Sequence, residues 1–174
     1  MYSFLSERLI IFMNKIPELN FYSFKKADIS DIDLLSETRI TVLRTANKLD
    51  DTADMSTVYD ITREYYKTAL ADGTHTTYIV FDSERVIGTG SICYYSVMPT
   101  YCNSTGKKAY IMNMYTDPEY RRKGIAFQLL DILVKEALDR GVTCVGLEAT
   151  EMGRPLYEKY GFESADAEMI LKRK

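Results

Sequence analysis

Apolar residues along this chain switch repeatedly between the strand period and the helix period, and each switch marks a change of element. Residues 21–25 read as a first strand. Ser30 then stands ahead of Ile32, Leu35, Ile40 and Leu43, a spacing that predicts a helix to about Asn47 with Ser30 as its N-cap. Asp50-Asp51-Thr52 interrupts the pattern. Val58, Ile61, Tyr65 and Leu70 supply the apolar side of a second helix, capped by Ser56, running to Ala71 and closed by Asp72-Gly73. The period then becomes that of strands. Residues 76–81 and 86–97 are rich in β-branched and aromatic side chains around Asp82-Ser83-Glu84-Arg85, which predicts a hairpin. Residues 98–106 read as a loop and 109–116 as another strand. From Gly124 to Arg140 the helical period returns, with a narrow polar stripe of Gln128, Asp131, Lys135 and Asp139. Most of that helix is therefore expected to be buried, with Arg140-Gly141 ending it. A strand over 143–149, a short helix over 153–160 and a terminal strand or hairpin over 162–171 complete the order. The pattern describes one α/β domain over 21–174, behind a 1–20 extension whose role stays open.

Composition narrows the class. A chain of 174 residues with 46% apolar content can fill one full-sized core. The net charge of −3 gives neither a nucleic-acid-binding surface nor a disordered acidic chain, and it suits a cationic amine only weakly. Three cysteines, at 93, 102 and 144, and a single histidine make neither a disulfide framework nor a zinc site. No metal is expected. Cys93 and Cys144 read as buried small hydrophobes, and a reducing, cytoplasmic setting is the default. The apolar run 9–13 is too short for a bilayer and lacks the frame of a signal peptide, so no membrane is expected.

The most informative segment is Thr116-Asp-Pro-Glu-Tyr-Arg-Arg-Lys-Gly-Ile-Ala-Phe127, which joins an apolar strand to the long helix through three consecutive cations. A helix N-terminus carries unpaired N–H groups and about half a positive charge. With Arg121, Arg122 and Lys123 beside it, the junction is suited to a phosphate or diphosphate. Gly124 leaves room for an anion to approach the backbone. The plainer reading is a solvated basic turn that starts a helix.

Arg121-Arg-Lys-Gly124-Ile-Ala126 resembles the phosphate loop of the GNAT superfamily of acyl-CoA-dependent N-acetyltransferases, Gln/Arg-x-x-Gly-x-Gly/Ala. Leu156-Tyr157-Glu-Lys-Tyr-Gly161-Phe162 is similar to the short helix carrying that family's tyrosine. The resemblance is clear over 78–170, extends plausibly to Phe21 and does not reach the first twenty residues. It implies a mixed, strongly twisted sheet whose central strands splay into a V-shaped cleft, flanked by helices. It further implies acetyl-CoA as cosubstrate and transfer of its acetyl group to a primary amine by direct attack. The pantetheine arm would lie along the backbone of Met114, Tyr115 and Thr116, with an amide near Met114 facing the thioester oxygen. The diphosphate would sit on the amides of Arg122, Lys123, Gly124, Ile125, Ala126 and Phe127, with Arg121 holding the loop or pairing with phosphate.

Tyr157 is the implied general acid, with Tyr160 close by and a packing role as the plainer alternative. Thr150 stands where relatives often carry an asparagine that contacts the cofactor, and its hydroxyl can still cap the short helix. Where many relatives place a carboxylate base on the strand before the loop, this chain has Met112 followed by Asn113. A water chain, Glu148 on the adjoining strand, or no dedicated base are the alternatives, and Glu148 reads equally as an outward-facing strand residue. His75 reads as an ordinary exposed residue opening a strand. The first two helices and the 98–106 loop would line the acceptor side, with Arg39, Asp50, Asp51, Asp54 and Tyr101 among their residues. A peptide N-terminus, a polyamine, an amino acid and an antibiotic all remain open as acceptor, and homodimerisation is compatible with the sequence. The rival reading is a non-catalytic acyl-CoA-binding or regulatory module.

Overall fold

The computed structural model describes residues 22–165, 169 and 171. In chain order these form β1 (Ser23–Lys26), a 3-10 turn (Ile29–Asp31), α1 (Ile32–Asn47), α2 (Ser56–Ala71), β2 (His75–Asp82), β3 (Arg85–Ser96), β4 (Lys107–Thr116), a second 3-10 turn (Pro118–Tyr120), α3 (Ile125–Asp139), β5 (Cys144–Leu147) and α4 (Arg154–Tyr160).

Two caps differ from the sequence reading. Asp28, not Ser30, starts the first helical segment: its carboxylate accepts the Ser30 amide at 2.7 Å, while Asp31 accepts the Asp28 amide at 3.0 Å. A carboxylate two residues earlier reaches the open amides that Ser30 would otherwise serve, so Ser30 is drawn inside the turn. Likewise Ser56 is the first residue of α2 and donates its amide to Asp54 at 2.9 Å. The strand expected over 143–149 forms only over Cys144–Leu147. Of the terminal strand expected over 162–171, the described residues are not in a strand and the others lie outside the described residues, as does Phe21.

The strands pair in the order β1-β2-β3-β4-β5, antiparallel except for β4 with β5, so the sheet is mixed. The β2–β3 hairpin turns at Ser83-Glu84, with Ser83 in the left-handed region at φ 55°. Strand alternation sends side chains to two faces. One face carries Ile79, with Ala27, Ile32, Leu35 and Tyr66 packing there from the α1–α2 side. The other carries Ile92, Ala109 and Ile111, covered by Leu130, Leu133 and Ala137 of α3 and by Tyr157 of α4. Leu129 and Leu130 have no exposed surface, as the narrow polar stripe of α3 requires. Cys93 and Cys144 are half-buried rather than buried. Among the described residues no helix is long and apolar enough to cross a membrane.

Candidate functional site

The sheet is interrupted in two ways at the C-terminal half of β4. First, β4 pairs with β5 only from Lys108↔Cys144 to Ile111↔Leu147. Beyond that point residues 112–116 have no partner on β5, so one row of backbone donors and acceptors along β4 faces the gap where the strands part. Secondly, the β3–β4 register passes from Ser91↔Met112 to Thr89↔Tyr115, which inserts one extra residue in β4 opposite Gly90. Asn113 occupies the bulge at φ 56°, a conformation that asparagine tolerates better than most residues. Gly90 is required there: a Cβ would come within 2.7 Å of Met114 Sδ and 2.8 Å of Leu129 Cδ2.

At the end of β4 the chain enters the basic loop. Arg121 is tied down, its Nε donating to the Thr116 carbonyl at 3.1 Å and its Nη1 lying 3.6 Å from Met152 Sδ, so it braces the loop against the segment before α4. Arg122 is exposed at φ 64°, and Lys123 lies over the Tyr120 ring at 4.6 Å. Gly124 caps α3 at φ 84° with open space where a side chain would stand. Its carbonyl accepts the Phe127 amide at 3.1 Å, so Phe127 spends its N–H inside the turn, and its ring packs against Tyr160 at 5.4 Å. The amides of Gly124, Ile125 and Ala126 precede the helix's own ladder and are the open donors. The Thr116 hydroxyl is buried with no hydrogen-bond partner among the described residues. An unpaired buried hydroxyl between an unpaired strand edge and an open helix N-terminus fits a polar, anionic ligand laid across both.

Tyr157 is buried, its ring edge-on to Phe162 at 6.1 Å, and burial, with Tyr110 nearby, pushes its phenol above the ordinary value. The Thr150 hydroxyl accepts the Gly153 amide at 3.1 Å and so orders the turn that starts α4. Glu148 is exposed.

His75 corrects the sequence reading: it is 4% exposed, not an exposed strand end. Its ring lies edge-on to both Tyr65 and Tyr66 of α2, which cover it. Its Nδ1 pairs with the Tyr65 hydroxyl at 3.0 Å and its Nε2 with the Thr77 hydroxyl at 2.8 Å; Thr77 in turn bonds Ser91 at 2.8 Å. Burial, and secondarily the charge of Arg39, pull its pKa down to about 4, so the ring is neutral near pH 7. Sequence reasoning missed this group. The adjacent pair Tyr65-Tyr66 on the second helix was the available signal. Of the five acceptor-side residues, Arg39 alone reaches the cavity beside His75. Asp50 and Asp54 hold turns through Thr52 and Ser56, and Tyr101 is fully exposed.

Residues 43–162 match the model of the acetyltransferase (GNAT) family. A predicted acetyltransferase from Clostridium acetobutylicum, solved with acetyl-CoA, is 36% identical and superposes with a TM-score of 0.80, over 87% of this chain and 96% of that one. A GCN5-related N-acetyltransferase from Ralstonia eutropha JMP134 is 27% identical with a TM-score of 0.76, over 87% of this chain and 98% of that one. Glucosamine 6-phosphate N-acetyltransferase of Trypanosoma brucei brucei is 28% identical over 50% of this chain; the match spans 57% of that relative's length.

Proposed function

The chain belongs to the acetyltransferase (GNAT) family, and on that premise we propose that it moves an acetyl group from acetyl-CoA directly to a primary amine, without a covalent enzyme intermediate. One observation carries this reading: the unpaired edge of β4 at 112–116 runs straight into the open N-terminus of α3. A pantetheine arm has the amides of a short peptide and can join that edge as an added strand. Its diphosphate then falls at the amides of Gly124, Ile125 and Ala126, among the charges of Arg121, Arg122 and Lys123. Thr116 offers its orphaned hydroxyl between the two.

The chemistry follows from the same placement. The amine nitrogen attacks the thioester carbon, and the Met114 amide faces the oxygen that gains charge. The carbon–sulfur bond breaks, and Tyr157 gives its phenolic proton to the departing thiolate. A raised phenol pKa suits that task, because the group stays protonated until a strong base appears beside it. The proton of the new ammonium leaves through water in the cleft, since Met112 and Asn113 offer no carboxylate and Glu148 faces solvent. Calorimetric titration with acetyl-CoA, followed by thiol release on addition of an amine panel, tests the reading. Absence of binding heat at saturating cosubstrate would overturn it.

A further inference from the structure

On the opposite face of the sheet from α3, a cavity of about 230 Å³ opens between α1 and α2. Arg39, Tyr65, Tyr66, His75, Ser91 and Asn113 give it its chemistry. Most of its polar groups satisfy one another through the Tyr65–His75–Thr77–Ser91 chain of hydrogen bonds. Arg39 is different. It is half-buried and donates to Asn113 Oδ1 at 3.0 Å, yet among the described residues it forms no ion pair, and no carboxylate lines the cavity. A guanidinium has five N–H donors in a planar fork, and a half-buried cation without a counter-charge is unfavourable. Its field is felt locally: after burial, its charge is the second cause that lowers the His75 pKa, and at Tyr66 it opposes the rise that burial imposes.

We propose that this cavity receives the acceptor and that Arg39 holds an anionic group on it, a carboxylate or a phosphate, so that the substrates are amines carrying an anion. The inference rests on the transferase reading above and names the acceptor class for that site. Three features support it. No Asp or Glu lines the cavity, so an entering anion meets no negative charge there, while a polycation meets Arg39 unpaired. The cavity is smaller than the roughly 300–1,000 Å³ of typical ligand sites, which suits a small acceptor or the end of a larger one. Asn113, which bonds Arg39, immediately precedes Met114, so the anion-binding group stands next to the point where the amine must attack.

The test uses matched acceptors: methionine against methioninamide for the carboxylate, glucosamine 6-phosphate against glucosamine for the phosphate. Thiol release should give a kcat/KM ratio of at least about tenfold in favour of the anionic member of one pair, a factor in the range of a charge-assisted hydrogen bond. Arg39→Gln should bring that ratio to near one, and Arg39→Lys should keep part of it, since a lysine retains charge without the fork. Equal use of charged and neutral partners by the wild-type enzyme, or a ratio untouched in Arg39→Gln, overturns the proposal. A second readout needs no turnover. His75 is the chain's single histidine, so in tag-free protein its imidazole C–H signal reports the cavity alone. That signal should shift with methionine or glucosamine 6-phosphate in the wild type and stay still in Arg39→Gln. No shift with either ligand overturns the proposal, whereas failure to bind acetyl-CoA overturns the donor-site reading and leaves this measurement standing.

Discussion

Beside the carboxylates, acidification should destabilise this fold through His75, and the size of that contribution follows from how the ring is held. The imidazole is 4% exposed and bonded at both nitrogens, and its pKa falls from 6.5 to about 4 on folding, through burial first and Arg39 second. The unfolded chain therefore takes up a proton near pH 6.5 that the folded chain refuses until about pH 4. Stability from this group is complete above the unfolded value and is lost as pH falls through that window. At about 1.4 kcal/mol per pH unit, the loss approaches 3 kcal/mol by pH 4, or on the order of 10 °C in Tm for a domain of this size. Urea unfolding of wild type and His75→Gln at intervals from pH 7.5 to 4 isolates the term, because every carboxylate is common to the two proteins. The difference in unfolding free energy should shrink steadily below pH 6.5. Parallel profiles, or an imidazole proton signal titrating near 6.5, would refute the argument.

Further outcomes follow from the donor side. Tyr157→Phe should lower kcat by about 10²-fold or more, as loss of a general acid does, while acetyl-CoA affinity measured by calorimetry changes little; unchanged turnover removes the residue from the chemistry. Gly124→Glu should abolish acetyl-CoA binding by filling and repelling at the helix N-terminus, and strain at φ 84° should cost a further 1–2 kcal/mol or so in urea unfolding. Retained affinity in that variant would refute the placement of the diphosphate. Gly90→Ala should cost about 1–3 kcal/mol by overpacking, since its new methyl meets Met114 and Leu129, and it should also weaken acetyl-CoA binding by displacing β4; a variant as stable as wild type would show that the bulge yields freely.

Much of the fold was legible because its longest elements have strong periods. The polar stripe of α3 and the β-branched runs on either side of Ser83-Glu84 each allow one reading. The caps were less legible because Asp28, Ser30 and Asp31 all carry suitable oxygens, and only the backbone path decides which one faces an open amide. The donor site was readable as a loop motif, since its ligand groups are consecutive backbone amides. Its splay was expected from the family resemblance alone, and the point where it begins, after Ile111↔Leu147, was not readable because it depends on where β5 diverges from β4 in space. His75 was illegible for a related reason: the rings that bury it arrive from α2, and nothing beside it in the sequence announces them.

The bulge at Asn113 connects the two halves of the site. Strict alternation from Met112, which faces the α1–α2 cavity, would send residue 113 to the α3 face and residue 114 back to the cavity. The extra residue reverses this. Met112 and Asn113 both line the cavity, and Met114 packs among the side chains under α3. One strand thereby offers acceptor-side chemistry and a donor-side edge within three consecutive residues. The identity of residue 113 then sets the charge. Aspartate would accept the same left-handed backbone, but it would pair with Arg39 and cancel the cation. Asparagine accepts one N–H of that guanidinium and leaves its charge for a ligand. The missing carboxylate on β4 is thus the condition under which Arg39 can select an anion. Asn113→Asp should accordingly lower kcat/KM for the anionic acceptors while sparing acetyl-CoA affinity, and preference retained in that variant would break the link between bulge and selectivity.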